Sequence, residues 1–377
     1  MEHQVKVLIT DAGYTHTLGA VRSLGRAGFH VTAVSPYRGA VSFFSRYCRE
    51  KVISPDPQDE EQFIEFIGKR LQKNPVDLLM PVGYLSTVAI SRHEKELLPF
   101  ARIPVAEYAS MQVACNKQKT LQLASSLDIP SPRGYASIEE VAEFPVVAKD
   151  PCGAGKIRYI NSTREFERLD LTGYLLQEYI PGQGYGFFAL FNRGKVRAYF
   201  MHRRKREFPV TGGPSTCAES IYDEEVKRLG LQLLESLRWH GVAMVEFKRD
   251  DRDGLFKLME INPKFWGSLD LSIASGVNFP VLLANMALHG DIEPVFRYDT
   301  GVTFRWPFPE DAVHLCAHPA SGMEMLRECF DERSRTNLSL DDPVPNIIQI
   351  PRTCSRLAGL IGNGGLRYPH GRPGMRR

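Results

Sequence analysis

A doubly wound α/β lobe followed by an α+β module is the architecture the sequence predicts, and three observations carry it. The first 110 residues alternate short apolar runs with amphipathic stretches, the pattern of a parallel sheet wrapped by helices. From about residue 130, strand-like runs follow one another with a single long helical pattern between them, which argues for paired strands. The length, 377 residues, exceeds what one core usually organises and implies two or three domains.

Residues 5–10 read as a buried strand, 11–16 as a turn, 18–28 as a helix and 30–34 as a second strand, a βαβ opening. An amphipathic helix over 63–71, a short buried strand over 77–81 and a helix over 87–98 continue the lobe. A helix over 117–127 stops at Asp128-Ile-Pro-Ser-Pro132. Strands are expected over 144–149, 174–180, 242–248 and 255–261, strands dominate 186–206, and a helix covers 223–239. A helix near 322–330 precedes a Gly/Pro/Arg-rich tail expected to be disordered from about residue 365. No internal repeat is present.

Lys and Arg total 47 against 44 Asp and Glu, a formal charge of +3, which excludes binding to nucleic acid or an anionic membrane through bulk basicity. The seven cysteines are scattered, without a CxxC pair or zinc spacing, and fit a reducing cytosol. Glu2 and Lys6 interrupt the N-terminal apolar run, unlike a secretory leader, and no run nears the roughly twenty apolar residues that span a bilayer. A soluble, cytoplasmic protein is expected.

The strongest chemical constellation is Met244-Val-Glu246-Phe-Lys248 with Leu258-Met-Glu260-Ile-Asn262-Pro-Lys264. Glu260 and Asn262 share one side of an extended chain, and Glu246 sits on what should be the adjacent strand. Hard oxygen donors of this kind suit magnesium, which fills its remaining positions with water and phosphate oxygens. The competing reading is a pair of solvated strand carboxylates matched by lysines; the apolar residues flanking each glutamate disfavour it. Lys149 ends an apolar strand, and the turn Asp150-Pro-Cys152-Gly153-Ala154-Gly155-Lys156 could wrap phosphate oxygens with its N–H groups, although it lacks the first glycine and the Ser/Thr of a P-loop. Lys117 alone reads as a surface lysine. Gln177-Glu178-Tyr179-Ile180 runs into Pro181-Gly182, a strand end whose free backbone groups and one carboxylate could read an adenine edge.

In this order the pieces resemble the ATP-grasp superfamily over about residues 1–345: Lys117, Lys149 with its glycine loop, the Glu178-Tyr-Ile hinge, Glu246, then Glu260-Ile-Asn262-Pro-Lys264. More narrowly, the runs 202–207, 211–216, 260–268 and 276–280 are similar to bacterial carboxylate–amine ligase-like ATP-grasp proteins. The resemblance implies an N-terminal Rossmann-like lobe over 1–110, a small clamp subdomain over 111–182, a large one over 183–300 and a C-terminal extension over 301–377. It implies that Lys117 and Lys149 hold ATP phosphates, that the loop from Cys152 through Gly153, Ala154 and Gly155 to Lys156 closes over them, and that Gln177, Glu178, Tyr179, Ile180 and Met259 contact the nucleotide. Glu246, Glu260 and Asn262 would hold two magnesium ions, manganese being an alternative. Two departures stand out. No acidic residue follows the hinge in Gly182-Gln-Gly-Tyr185 to take the ribose, and Lys264 stands where arginine is common, giving a point charge for a planar fork.

The implied activity is an ADP-forming ligase that activates a carboxylate as an acyl phosphate and joins it to an amine or thiol. Small-molecule acid and amine substrates, no nucleic acid or membrane partner, and compatibility with a homodimer follow. Period-two alternation places His202, Arg204 and Arg206 on one strand face, expected to point at the reacting phosphate, with Arg203 and Lys205 pointing away. Lys264 joins that catalytic set, and Arg305 is a candidate for a substrate carboxylate. Two rivals remain. A non-catalytic nucleotide sensor on the same fold is disfavoured by Glu246, Glu260 and Asn262. An NAD-dependent oxidoreductase is disfavoured because the first turn offers only Gly13 and Gly19, with Tyr14 and His16 obstructing a pyrophosphate.

Overall fold

The computed structural model describes residues 4–152, 157–363, 365–367 and 373–374. Most of the expected disordered tail therefore lies outside the described residues, as do Gly153, Ala154, Gly155 and Lys156 of the glycine loop.

The N-terminal sheet is all parallel, in the order β3-β2-β1-β4, with β1 Lys6–Ile9, β2 His30–Ser35, β3 Cys48–Ile53 and β4 Leu78–Met80. Its central strands are apolar on both sides because helices Thr15–Arg26 and Glu60–Lys73 accompany them. Edge strand β3, Cys-Arg-Glu-Lys-Val-Ile, alternates buried and exposed positions and was not expected from the sequence. Its charges suit a sheet edge facing water. The helix expected over 87–98 is two helices, Tyr84–Arg92 and Glu94–Leu97.

A small antiparallel sheet follows, ordered β5-β8-β6-β7, with β5 Gly134–Tyr135, β6 Val146–Lys149, β7 Ile157–Ile160 and β8 Leu175–Glu178. It closes on its own small core of Val146, Ala148, Ile160 and Leu176. The chain then crosses at Gly182, whose φ of +124° favours glycine and where a Cβ would lie 2.0 Å from the Arg249 carbonyl oxygen.

The large sheet runs β13-β12-β9-β10-β11-β14-β15, with β9 Gly184–Asn192, β10 Lys195–Glu207, β11 Ser215–Ser220, β12 Gly241–Arg249, β13 Phe256–Asn262, β14 Thr303–Arg305 and β15 Ser334–Thr336. β9, third in that order, is apolar on both faces. Phe187, Ala189 and Phe191 pack toward helix Glu224–Ser236, while Phe188 and Leu190 join a core shared with the N-terminal lobe, helix Phe279–His289, Trp266 and Trp306. That shared core makes the lobe and the large sheet one packed body. Residues beyond 300 extend this sheet through β14 and β15. They then form helix Val344–Gly362, which returns to the N-terminal lobe. Among the described residues no helix is long and apolar enough to cross a membrane.

Candidate functional site

Between the small and large sheets lies a cleft of about 390 Å³. From the small-sheet side it receives Lys149, the last residue of β6, and Lys117, the first residue of helix Lys117–Ser126. Asn116 caps that helix by accepting from the Lys119 N–H at 3.0 Å, and the Lys117 N–H donates to the Pro151 carbonyl at 2.9 Å. These bonds tie the helix start to the end of β6 and bring both ammonium groups to one wall.

The large sheet supplies the opposite wall. Glu246 on β12 and Glu260 on β13 are direct partners in the antiparallel ladder, and both face the cleft with Asn262. Like charges facing each other across a ladder repel, so cations gather around them. Arg204 Nη2 lies 2.6 Å from Glu246 Oε2, and Lys117 Nζ lies 3.6 Å from Glu260 Oε2. Asn262 Nδ2 donates to Glu260 Oε1 at 2.9 Å. Among the described residues no three His, Cys, Asp or Glu side chains converge on a point. Two carboxylates and an amide form a sparse hard-oxygen set, and such a set fits magnesium that keeps water and phosphate ligands.

Burial lowers three lysines of the site. It pushes the Lys149 and Lys264 ammonium groups below their ordinary range, with Glu260 and Glu246 pulling the other way. It does the same to Lys248, against the pull of Glu207 and Glu246. Arg204 is buried as well, but Glu246 and Glu207 outweigh the burial and hold its charge firmly. A polyanion entering the cleft would supply the counter-charge that burial has taken from these lysines.

Strand β8 ends at Glu178, and the chain turns through Tyr179 and Ile180 along the cleft rim. The Glu178 carboxylate is tied back: Arg252 Nη2 reaches its Oε1 at 2.6 Å and the Arg133 N–H donates to its Oε2 at 3.1 Å. Lys248 Nζ donates to the Ile180 carbonyl at 3.1 Å. The Glu178 carboxylate is therefore occupied by protein partners. The loop 209–215 covers the far end of the cleft, anchored where the Tyr159 hydroxyl donates to the Thr211 carbonyl.

Of the residues singled out from the sequence, the cleft brings together Lys117, Lys149, Glu178, Tyr179, Ile180, Arg204, Glu246, Met259, Glu260, Asn262 and Lys264. Others stand elsewhere. Gln177 is buried within β8, and Cys152 is exposed at the end of the β6 turn. His202 is packed edge-on against Phe188 at 4.7 Å beneath the cleft, and burial holds it well below its ordinary pKa, hence neutral.

Arg206 corrects the alternation argument. A β-bulge interrupts the pairing with β11, where Arg204 faces Ala218 but Arg206 faces Cys217. The extra residue breaks the period of two. Arg206 instead enters a buried network with Asp311 at 3.0 Å and Glu328 at 2.7 Å, and Lys205 reaches the same Glu328 at 3.0 Å. Arg305 is also outside the cleft, bound to Ser334 Oγ at 3.1 Å and the Met325 carbonyl at 3.3 Å. Sequence reasoning missed Lys248 and Tyr159. Lys248 was legible as the i+2 neighbour of Glu246 on the same strand face; Tyr159 carried no signal.

A family model described as ATP-grasp in the biosynthetic pathway with Ter operon matches residues 170–307, the stretch from the end of the small sheet to β14. The chain has an ATP-grasp fold. A D-aspartate ligase of Enterococcus faecium (strain Aus0004) is 24% identical over an alignment covering 59% of this chain and 62% of that protein. The match thus spans less than two thirds of that ligase. Among solved structures, an L-amino acid ligase from Bacillus licheniformis superposes with a TM-score of 0.59 at 17% identity, over 78% of this chain and 79% of that one. A biotin carboxylase from Campylobacter jejuni in complex with an ATP analogue superposes with a TM-score of 0.64 at 17% identity, over 80% and 74%. At these identities the structures establish the ATP-grasp fold.

Proposed function

We propose that this ATP-grasp protein is an ATP- and magnesium-dependent ligase that activates a carboxylate as an acyl phosphate and couples it to an amine. The observation that carries the reading is the joint placement of Lys117, Lys149 and Arg204 around the facing pair Glu246 and Glu260 in one cleft. Likeness to a D-aspartate ligase and to an L-amino acid ligase supports the same class of chemistry.

A carboxylate is a poor electrophile. Attack of its oxygen on the γ-phosphorus of ATP breaks the bond to the β-phosphate oxygen and yields an acyl phosphate and ADP. The amine nitrogen then bonds to the acyl carbon, phosphate leaves, and the nitrogen loses a proton. Phosphoryl transfer of this kind is accelerated chiefly by positioning and by charge cancellation on the phosphate oxygens. Lys117 and Lys149 bind phosphates from one wall, and Arg204 and Lys264 face them from the other. Glu246, Glu260 and Asn262 would hold magnesium, which would supply positive charge against the phosphates. The loop 209–215 keeps water from the acyl phosphate, which hydrolyses readily.

The test is ADP and phosphate release by the purified chain with ATP, magnesium and pooled amino acids. Release is expected only when the pool is present, and Glu260→Ala should lower it by about a hundredfold or more while leaving the protein folded. Tight ATP binding without turnover on any pool would favour a nucleotide sensor, and release of AMP with pyrophosphate would exclude the acyl-phosphate route.

A further inference from the structure

A second cavity of about 400 Å³ adjoins the cleft and shares Pro214, Ser215, Lys264 and Gly267 with it. Its walls come from three places: Tyr14 and His16 at the first turn, Trp306 and Glu310 after β14, and Gln349, Arg352 and Arg356 on helix Val344–Gly362. Arg352 and Arg356 are one turn apart, on the same helix face. Among the described residues neither has a carboxylate partner within salt-bridge distance, and Arg356 rests against the Phe208 ring at 5.9 Å. Both guanidinium groups line the cavity without an ion pair and can take an anion there.

The opposite need is present in the same walls. Gln349 is 2% exposed; its Nε2 donates to the Pro345 carbonyl at 3.2 Å, yet its Oε1 has no hydrogen-bond partner. The Oε2 of Glu310 is likewise buried without a partner. An unpaired buried acceptor is costly and calls for a donor. Burial also pushes the Glu310 carboxyl up to about 7, with Arg356 pulling it down. His16, lowered to about 3 by burial and by Lys264, adds no charge. A ligand that satisfies this cavity must offer an anion to the arginines and N–H donors to Gln349 and Glu310. Phosphate and simple dicarboxylates bring no cationic group to Glu310, whereas an amino acid carries both a carboxylate and an ammonium group.

We propose that the second cavity binds a free amino acid, with its carboxylate on Arg352 and Arg356 and its ammonium group facing Glu310 and Gln349. The assignment names the substrate class of the ligase reading and rests on that reading for the step that consumes the ligand. The shared wall at Lys264 and Ser215 puts the amino acid next to the phosphate end of the cleft.

Isothermal titration of the full chain, with and without MgADP, tests it. The probes are the common L-amino acids, D-alanine and D-aspartate, each against its α-carboxamide. At least one amino acid should bind about tenfold or more tightly than its carboxamide. The Arg352→Gln/Arg356→Gln double variant should erase that preference while binding MgADP as the parent does. Both arginines are exposed, so the double variant is expected to fold. Equal binding of acid and carboxamide, or a preference that survives the double variant, overturns the proposal. So does failure of every amino acid to bind a chain that binds MgADP, and that result leaves the ligase reading standing. Failure to bind MgADP or MgATP would instead remove the ligase reading.

Discussion

Arg204 and Arg206 differ by two positions and have opposite fates, which shows how much a single inserted residue can change. Arg204 stays in the cleft between Glu246 and Glu207, whereas the bulge turns Arg206 into a structural ion cluster with Asp311 and Glu328. Replacing Arg204 with Met should cut turnover by about a hundredfold or more, as loss of one oriented cation does at a site of developing charge. Replacing Arg206 with Met leaves the buried Asp311 without its cation, while Glu328 keeps Lys205, and should cost about 3–5 kcal/mol in urea unfolding, with ADP affinity unchanged. The residue scale also sets a pH dependence. Burial raises the Asp270 carboxyl to about 6, with a bond from Trp306 Nε1 at 3.2 Å opposing the shift. Asp270 therefore holds its proton more tightly in the folded than in the unfolded chain, and its contribution to stability falls as pH rises from about 4 through 6. Asp270→Asn should match the parent below pH 4 and be more stable by about 3 kcal/mol above pH 7; equal pH profiles of the denaturation midpoint would contradict this.

At the scale of elements, the strands and helices that place the cleft were legible because they are apolar and periodic. The runs around Lys149, Glu246 and Glu260 each show a carboxylate or ammonium set among buried residues, and the structure puts all three in one cleft. The bulge in β10 was illegible, since nothing in Arg-Arg-Lys-Arg marks where a register slips. Helix Val344–Gly362 was missed for a different reason. Pro345 fits its first turn, but Pro351 stands inside it, and a proline in the interior of an apolar stretch argues against a helix. Tertiary contacts hold it. Arg22 Nε meets Asp342 Oδ2 at 2.8 Å with both side chains nearly fully buried, and Ser45 Oγ and the Arg46 N–H donate to the same carboxylate. This clasp fixes the residues just before the helix against the N-terminal lobe, and so positions Arg352 and Arg356. Asp342→Ala should lower the unfolding free energy by about 3–5 kcal/mol and weaken whatever the second cavity binds; unchanged stability would show that the clasp does not hold the helix.

Across the whole molecule, the near-neutral charge hides local separation. Cations line the cleft and its neighbouring cavity, while Glu246 and Glu260 stand together on one wall. The shared core of the N-terminal lobe and the large sheet makes a fixed base, and the small sheet, with its separate core, is joined to it through the turn at Gly182. A clamp of this form allows one wall to approach a nucleotide while the other stays in place. On the proposed function the cleft makes an acyl phosphate, and hydroxylamine traps it without knowledge of the natural amine. With ATP, magnesium, pooled amino acids and hydroxylamine, the chain should produce a hydroxamate and ADP in equal amounts, and Glu260→Ala should produce neither. ATP bound in the cleft with no hydroxamate formed from any acid in the pool would contradict the account.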